Sequence, residues 1–197
     1  MSFIQSIKEI DTNLFLYLNS KHNLFFDVVM YWASHKYFWI PLYVILLLLV
    51  YKYFGKKTLL IAGFAIISFA LSDQISTRAF KKKFLRYRPC HNMEIQSQVH
   101  VNGGCGGQYG FVSSHAANTF ALAMFLGLLF KNKIKYFALL IFLWAAFVSY
   151  SRIYNGVHYP ADITVGAILG MGIGIVMFKM YQLLDNKLYP KSKLEAS

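Results

Sequence analysis

Three short stretches concentrate cations, histidines and one carboxylate in a chain that is otherwise apolar and poor in acids. They are KKKFLRYRP, with Lys81, Arg86, Arg88 and Pro89; FVSSHAAN, with Ser113, Ser114, His115 and Asn118; and SRIYNGVHYPAD, with Arg152, His158 and Asp162. Arginine forks bind phosphate oxygens through paired hydrogen bonds, and a lysine adds a point charge. A helix opening at Ser114 would offer free backbone N–H groups to the same anion. Phosphoryl transfer without a metal needs a nucleophile, a clamp for the charge on the transferred group, and a proton for the leaving oxygen. His158 suits the attack, because Asp162, four residues on, can accept from one ring nitrogen and leave the other free. His115 remains as the acid that protonates the departing alcohol or phosphate and then activates water.

Each stretch alone has an ordinary explanation. Basic residues at a helix end anchor to lipid headgroups, a histidine in a polar loop is usually solvated, and Ser113 or Ser114 can be a helix N-cap. Together, the three gather where apolar segments meet loops on one side of a membrane, an arrangement headgroup anchoring does not require.

The elements that must hold them are hydrophobic. The 197 residues are 57% hydrophobic and 14% charged, the profile of an integral membrane protein. Apolar segments run over 37–53, 58–79, 116–130, 136–150 and 163–184. Several fall below the ~20 residues that cross a bilayer core, but Lys and Tyr at their ends can snorkel, so all five are expected to span. Residues 1–35 differ: Phe3, Ile4, Ile7, Ile10, Leu14 and Leu18 recur at helical spacing with Lys8, Glu9 and Asp11 between them, predicting an amphipathic helix in the interface. A sixth crossing near 14–34 would bury Lys21, His22 and Asp27. The expected architecture is an all-α integral membrane bundle of five to six spanning helices, with an N-terminal amphipathic segment (1–35), a phosphatase domain (36–184) and a cytoplasmic tail (185–197). Asp73, inside the second apolar segment, is read as a structural partner for a base such as Arg78.

The formal charge is +12, from 20 Lys and Arg against 8 acids, which suits anionic headgroups or phosphorylated substrates. Nucleic acid is a poor partner, since the basic residues sit at the ends of apolar segments. No acidic cluster suits magnesium and no Cys/His spacing suits zinc, so the expectation is chemistry with no metal and no cofactor. The Lys-rich links KYFGKK and KNKIK and the tail predict a cytoplasmic side, with 81–114 and 151–161 facing outward. Cys90 and Cys105 share that outer loop, and a bridge between them fits an oxidising compartment, where closing the loop stabilises by roughly 3 kcal/mol. GGCGG, 103–107, lacks the P-loop pattern and reads as a flexible turn.

These residues resemble the type-2 phosphatidic acid phosphatases, relatives of vanadium haloperoxidases and glucose-6-phosphatase. The family pattern has a Lys, six residues, then Arg-Pro, matched by Lys81 and Arg88-Pro89. A Ser-Arg, five residues, His, three residues, Asp is matched by Ser151-Arg152, His158 and Asp162. Between them the family has Pro-Ser-Gly-His where this chain reads Val112-Ser113-Ser114-His115, keeping the Ser and His. The resemblance implies that Lys81, Arg88 and Arg152 hold phosphate with help from Ser113 and the Ser114 amide, that His158 becomes phosphorylated, that Asp162 orients it and that His115 gives the proton. The implied substrate is an extracytoplasmic lipid phosphate in a bacterial inner membrane: undecaprenyl pyrophosphate first, then phosphatidic acid, phosphatidylglycerophosphate or a lipid A phosphate. Transfer to a second lipid, haloperoxidase chemistry and non-catalytic lipid binding are the rival readings.

Overall fold

The computed structural model describes residues 3–190, so the last part of the expected tail, including KLEAS, lies outside the described residues. The chain folds into α1 (Phe3–Asn19), α2 (Leu24–Ser34), α3 (Ile40–Phe54), α4 (Thr58–Gln74), a short α5 (Lys82–Phe84), α6 (Ser114–Phe130), α7 (Phe137–Tyr154) and α8 (Pro160–Leu188). No strand forms among the described residues; one antiparallel bridge, Tyr87 to Tyr109, pinches the long loop between α5 and α6.

Local chemistry sets the boundaries. Asn23 caps α2 by accepting from the Phe26 amide at 2.9 Å. Pro160 opens α8 where its missing N–H costs nothing, and Asp162 accepts from the Tyr159 amide at 3.0 Å. Between α4 and α5 the chain widens into a π-helical turn, Ile75–Lys81, whose last residue is Lys81. Such turns break the 3.6-residue register and recur at functional sites.

The bundle is tightest between α6 and α8. Gly166, Gly170 and Gly174 recur on α8 every fourth residue; a Cβ on Gly170 would lie 2.2 Å from the Ala117 carbonyl oxygen, and one on Gly174 2.6 Å from that of Ala121. The two backbones are in direct contact, as small residues allow in membrane helices. Below this seam Phe125, Leu126, Phe130, Phe137, Ile141, Met177 and Tyr181 form the main core, joined by Leu46, Val50, Ile61 and Phe64 of α3 and α4. A second apolar cluster of Phe15, Ile95, Ile153 and Tyr159 seats α1 and the long loop on α7 and α8.

Three helical runs are long and apolar enough to cross a membrane: Lys36–Phe84, Phe137–Tyr154 and Pro160–Leu188, with mean hydropathies of 1.7, 1.6 and 1.9. The first is divided into α3 and α4 at Gly55, whose φ of +50° stops α3. Ser114–Phe130 is apolar but shorter. Leu48, Leu59, Leu140, Ile168 and Leu183 are exposed on the outside of the bundle, as a hydrocarbon environment permits. Lys57 Nζ sits 2.9 Å from the Asp185 carboxylate, so the 55–57 turn and the end of α8 share one end of the molecule. The 29 residues of α8 put its start roughly 40 Å from that end.

Two expectations change. A continuous crossing over 14–34 does not form: the chain leaves the helix between α1 and α2, with Lys21 and His22 exposed. In α1 itself Ile4, Ile7, Ile10 and Leu14 face outward, while Asp11, Phe15 and Asn19 are buried against the bundle. Asp73 forms no ion pair with Arg78 among the described residues; its carbonyl accepts from Ser76 Oγ at 3.0 Å, and its charge acts on Lys81. The widened turn that follows alters the side-chain register assumed for an unbroken helix.

Candidate active site

The three polar stretches converge at the start of α8. Ser113 caps α6, and its amide donates to the Asp162 carbonyl at 3.0 Å, which ties the second stretch to the third. Ser114, at the first helical position, accepts from Lys81 Nζ at 2.9 Å and shares a 2.8 Å hydrogen bond with Ser76 Oγ, bringing in the first stretch. The site therefore rests on three backbone segments whose spacing is fixed by the α6–α8 seam.

His158 and Asp162 are fully buried. His158 Nδ1 lies 3.3 Å from Asp162 Oδ2, leaving Nε2 free of that contact. The same oxygen accepts from the Tyr159 amide, so the carboxylate is held from two sides. Burial, and then the charges of Arg88, Arg152, Lys81 and Arg86, push His158 well below the ordinary histidine value of 6.5. The imidazole is thus neutral at pH 7, the form with a lone pair for attack. Arg88 is also lowered by burial, with Asp162 opposing the shift.

The cations retain unused donors. Arg88 Nε and Arg152 Nε are buried without hydrogen-bond partners. Arg88 Nη1 reaches the Val157 carbonyl at 3.5 Å, and Arg152 Nη1 contacts Ser34 Oγ. Buried guanidinium N–H groups are costly to leave unpaired, and an oxyanion would satisfy them. His115 lies one residue beyond Ser114 on the first turn of α6, within electrostatic reach of Arg152 and His158. Asn118 is buried one turn further, its side-chain oxygen unpaired. Cys90 and Cys105 are bridged with Cα atoms 6.0 Å apart, pinning the loop that follows Arg88-Pro89.

Three contributors escaped the sequence reading. Arg86 was noted only as one more cation, yet its Nη1 donates to Asp162 Oδ1 at 2.9 Å and its Nη2 to Asp11 Oδ2 at 2.6 Å. The guanidinium also lies over the Tyr159 ring at 3.9 Å. Asp11, taken as part of the solvated face of an interfacial helix, accepts from the Ala161 amide at 2.8 Å as well. The N-terminal helix thereby braces the carboxylate that braces His158. Gly110 is the third: a Cβ there would stand 3.3 Å from both His158 Nδ1 and Asp162 Oδ2, and 3.1 Å from Arg88 Cγ. Only the nearness of Asp11 to an apolar periodicity could have hinted at a buried acid, and nothing in the sequence pairs it with Arg86.

An all-helical membrane bundle with cations and a His–Asp pair gathered at one end defines a class of phosphate-handling membrane proteins. The sequence model of the PAP2 superfamily matches residues 58–185, and the chain belongs to that superfamily. It is 37% identical over 180 residues to a lipid A 4'-phosphatase of Porphyromonas gingivalis, covering 90% of this chain and 75% of the relative. It is 38% identical over 178 residues to a lipid A 4'-phosphatase of Bacteroides thetaiotaomicron, covering 89% and 78%. Among solved structures, Aquifex aeolicus LpxE matches with a TM-score of 0.62 at 24% identity, covering 85% of this chain and 93% of that one. A PAP2-type phosphatidylglycerolphosphate phosphatase of Bacillus subtilis matches with a TM-score of 0.67 at 18% identity, covering 95% and 90%. These two likenesses concern the fold.

Proposed function

We propose that this membrane lipid phosphatase removes a phosphate monoester from lipid A, at a site facing the periplasm from the bacterial inner membrane. The observation that carries the chemistry is the buried, neutral His158 held by Asp162 at 3.3 Å, with two guanidiniums offering unpaired Nε–H groups beside it. The substrate rests on two relatives at 37% and 38% identity that are lipid A 4'-phosphatases. They move lipid A phosphate ahead of undecaprenyl pyrophosphate, which the sequence reading ranked first. A groove of about 320 Å³ between α6, α7 and α8, lined by Phe120, Tyr150, Ile153, Ile163 and Met171, is apolar and suits an acyl chain.

The geometry supports the following course of reaction. Lys81, Arg88 and Arg152 hold the phosphate oxygens with the help of Ser113 and the Ser114 amide. Asp162 accepts a hydrogen bond from Nδ1–H, so the lone pair of His158 Nε2 attacks phosphorus while the bond to the sugar oxygen breaks. His115, protonated when the phosphate dianion is bound, gives that proton to the oxygen and releases the lipid alcohol. It then takes a proton from water, whose oxygen displaces His158 from phosphorus, and inorganic phosphate leaves. Arg86 and Asp11 act through Asp162 as positioning residues. If five segments span, the shorter α6 included, the Lys-rich 55–57 and 131–136 links share one side, which the positive-inside tendency assigns to the cytoplasm; this supports a site on the outer face.

The substrate assignment is tested by phosphate release from detergent-purified protein given hexa-acylated lipid A, undecaprenyl pyrophosphate, phosphatidic acid and phosphatidylglycerophosphate, all in EDTA. Preference for lipid A, with product lacking the 4'-phosphate by mass spectrometry, is the expected result. Faster turnover of undecaprenyl pyrophosphate would overturn the substrate while leaving the phosphatase chemistry in place.

A further inference from the structure

A second cluster of polar side chains lies outside the phosphate site. His22 in the α1–α2 turn, Asp27 on the first turn of α2 and His100 in the long loop each place one ligand atom within 4.8 Å of the others. His100 is 73 residues beyond Asp27, which is why no spacing suited to a metal is visible in the sequence. His100 Nε2 lies 2.8 Å from Asp27 Oδ1, and the His22 and His100 rings stack with centroids 3.8 Å apart.

Two of the three, Asp27 and His100, are held by ordered partners. Tyr154 donates its hydroxyl to Asp27 Oδ1 at 2.7 Å, and Asn102 Nδ2 donates to the Asp27 carbonyl at 2.7 Å. The His100 backbone is fixed at both ends of the peptide unit by Asn19: its amide donates to Asn19 Oδ1 at 2.8 Å, and its carbonyl accepts from Asn19 Nδ2 at 3.0 Å. Asn19 is itself 1% exposed, so this anchoring is internal. Ordered partners behind a ligand set are what orient a metal site. Directly beneath, Gly156 has a φ of +76°, and a Cβ there would lie 2.5 Å from the His100 carbonyl oxygen, so the loop rests on backbone between Arg152 and His158.

We propose that His22, Asp27 and His100 form a binding site for a borderline divalent transition metal, Zn²⁺ being the reference ion, with water completing a tetrahedron. Two imidazoles and a carboxylate match the donor set of Zn²⁺, Co²⁺ and Ni²⁺ and not that of the hard, water-keeping Mg²⁺. The ion clamps the α1–α2 turn to the loop that overlies the end of α7. It is a structural clamp, and no step of the phosphatase reaction passes through it.

The test uses full-length protein in detergent, kept non-reducing so that Cys90 and Cys105 stay bridged, stripped with EDTA and desalted. Zn²⁺ is titrated calorimetrically, and Co²⁺ is followed by visible absorption. The expected result is one ion per chain, no competition by Mg²⁺, and a Zn²⁺-dependent rise in unfolding temperature. His22→Ala, at an exposed position, and His100→Gln each weaken binding by more than the about 100-fold that marks loss of an outer partner, and Tyr154→Phe weakens it by about 10-fold. His91→Ala, beside the disulfide, leaves it unchanged. Absence of Zn²⁺ binding to the wild type, or equal binding by folded His22→Ala, overturns the proposal. His22→Ala decides the matter if His100→Gln fails to fold.

Discussion

The two carboxylates of α8 sit in opposite settings. Asp162, at the start, is fully buried and meets Arg86, His158 and the Tyr159 amide. Asp185, at the other end, meets Lys57, whose side chain is 32% exposed. Near water an ion pair contributes ~0–1 kcal/mol, because solvent already serves both charges. In the interior a carboxylate survives only when surrounded by donors, and each donor then fixes its position. The first end of α8 holds its carboxylate by several donors and the second by one partly exposed lysine, although a lysine or arginine faces an aspartate in both.

The sharpest break of this comparison is His158→Ala, which we expect to lower phosphate release by about 10⁶-fold with unfolding temperature little changed, since the nucleophile itself is lost. Asp162→Asn follows with about 10⁴-fold or less, as the wrong tautomer is favoured. Arg86→Met removes no phosphate ligand. It is expected to cost about 10²-fold in kcat with KM nearly constant, because His158 is misplaced rather than removed. Gly110→Ala presses a methyl against the same pair and is expected to resemble Arg86→Met in this split. Equal losses in kcat and substrate affinity would assign Arg86 to phosphate instead.

The pH dependence carries a sign. His158 binds its proton more weakly in the folded protein than in the unfolded chain. Folding therefore opposes protonation, and stability falls as pH drops below the unfolded value of about 6.5, with none of this loss above it. Thermal unfolding between pH 7 and pH 5 is expected to show the drop, and His158→Gln to flatten it. The smallest effect is Asp185→Asn, with activity unchanged and stability within about 1 kcal/mol. A large loss there would erase the contrast between the two ends.

Much of the site was legible because Lys81, Arg88, Arg152, His158 and Asp162 stand at fixed intervals inside short segments. His158 and Asp162 are a turn apart on one strand of chain, so their pairing needed no tertiary knowledge. Asp11 and Arg86 are separated by 75 residues and meet only because Phe15 docks α1 beside Tyr159. His100 likewise reaches His22 and Asp27 only through the fold. In helix α1 the exposed side chains Ile4, Ile7, Ile10 and Leu14 are apolar while Asp11 and Asn19 are buried with Phe15, and the amphipathic pattern alone does not tell which face packs on the bundle. The α6–α8 seam, built on Gly166, Gly170 and Gly174, and its role in fixing Ser113 against Asp162 appear only in three dimensions.

The most direct test of the central claim is to trap the phosphoenzyme. Wild-type protein mixed with ³²P-labelled lipid phosphate and quenched in alkali within a turnover is expected to carry an acid-labile, base-stable label on the peptide containing His158, absent in His158→Ala. Label that persists in His158→Ala, or on a peptide from another part of the chain, would contradict it.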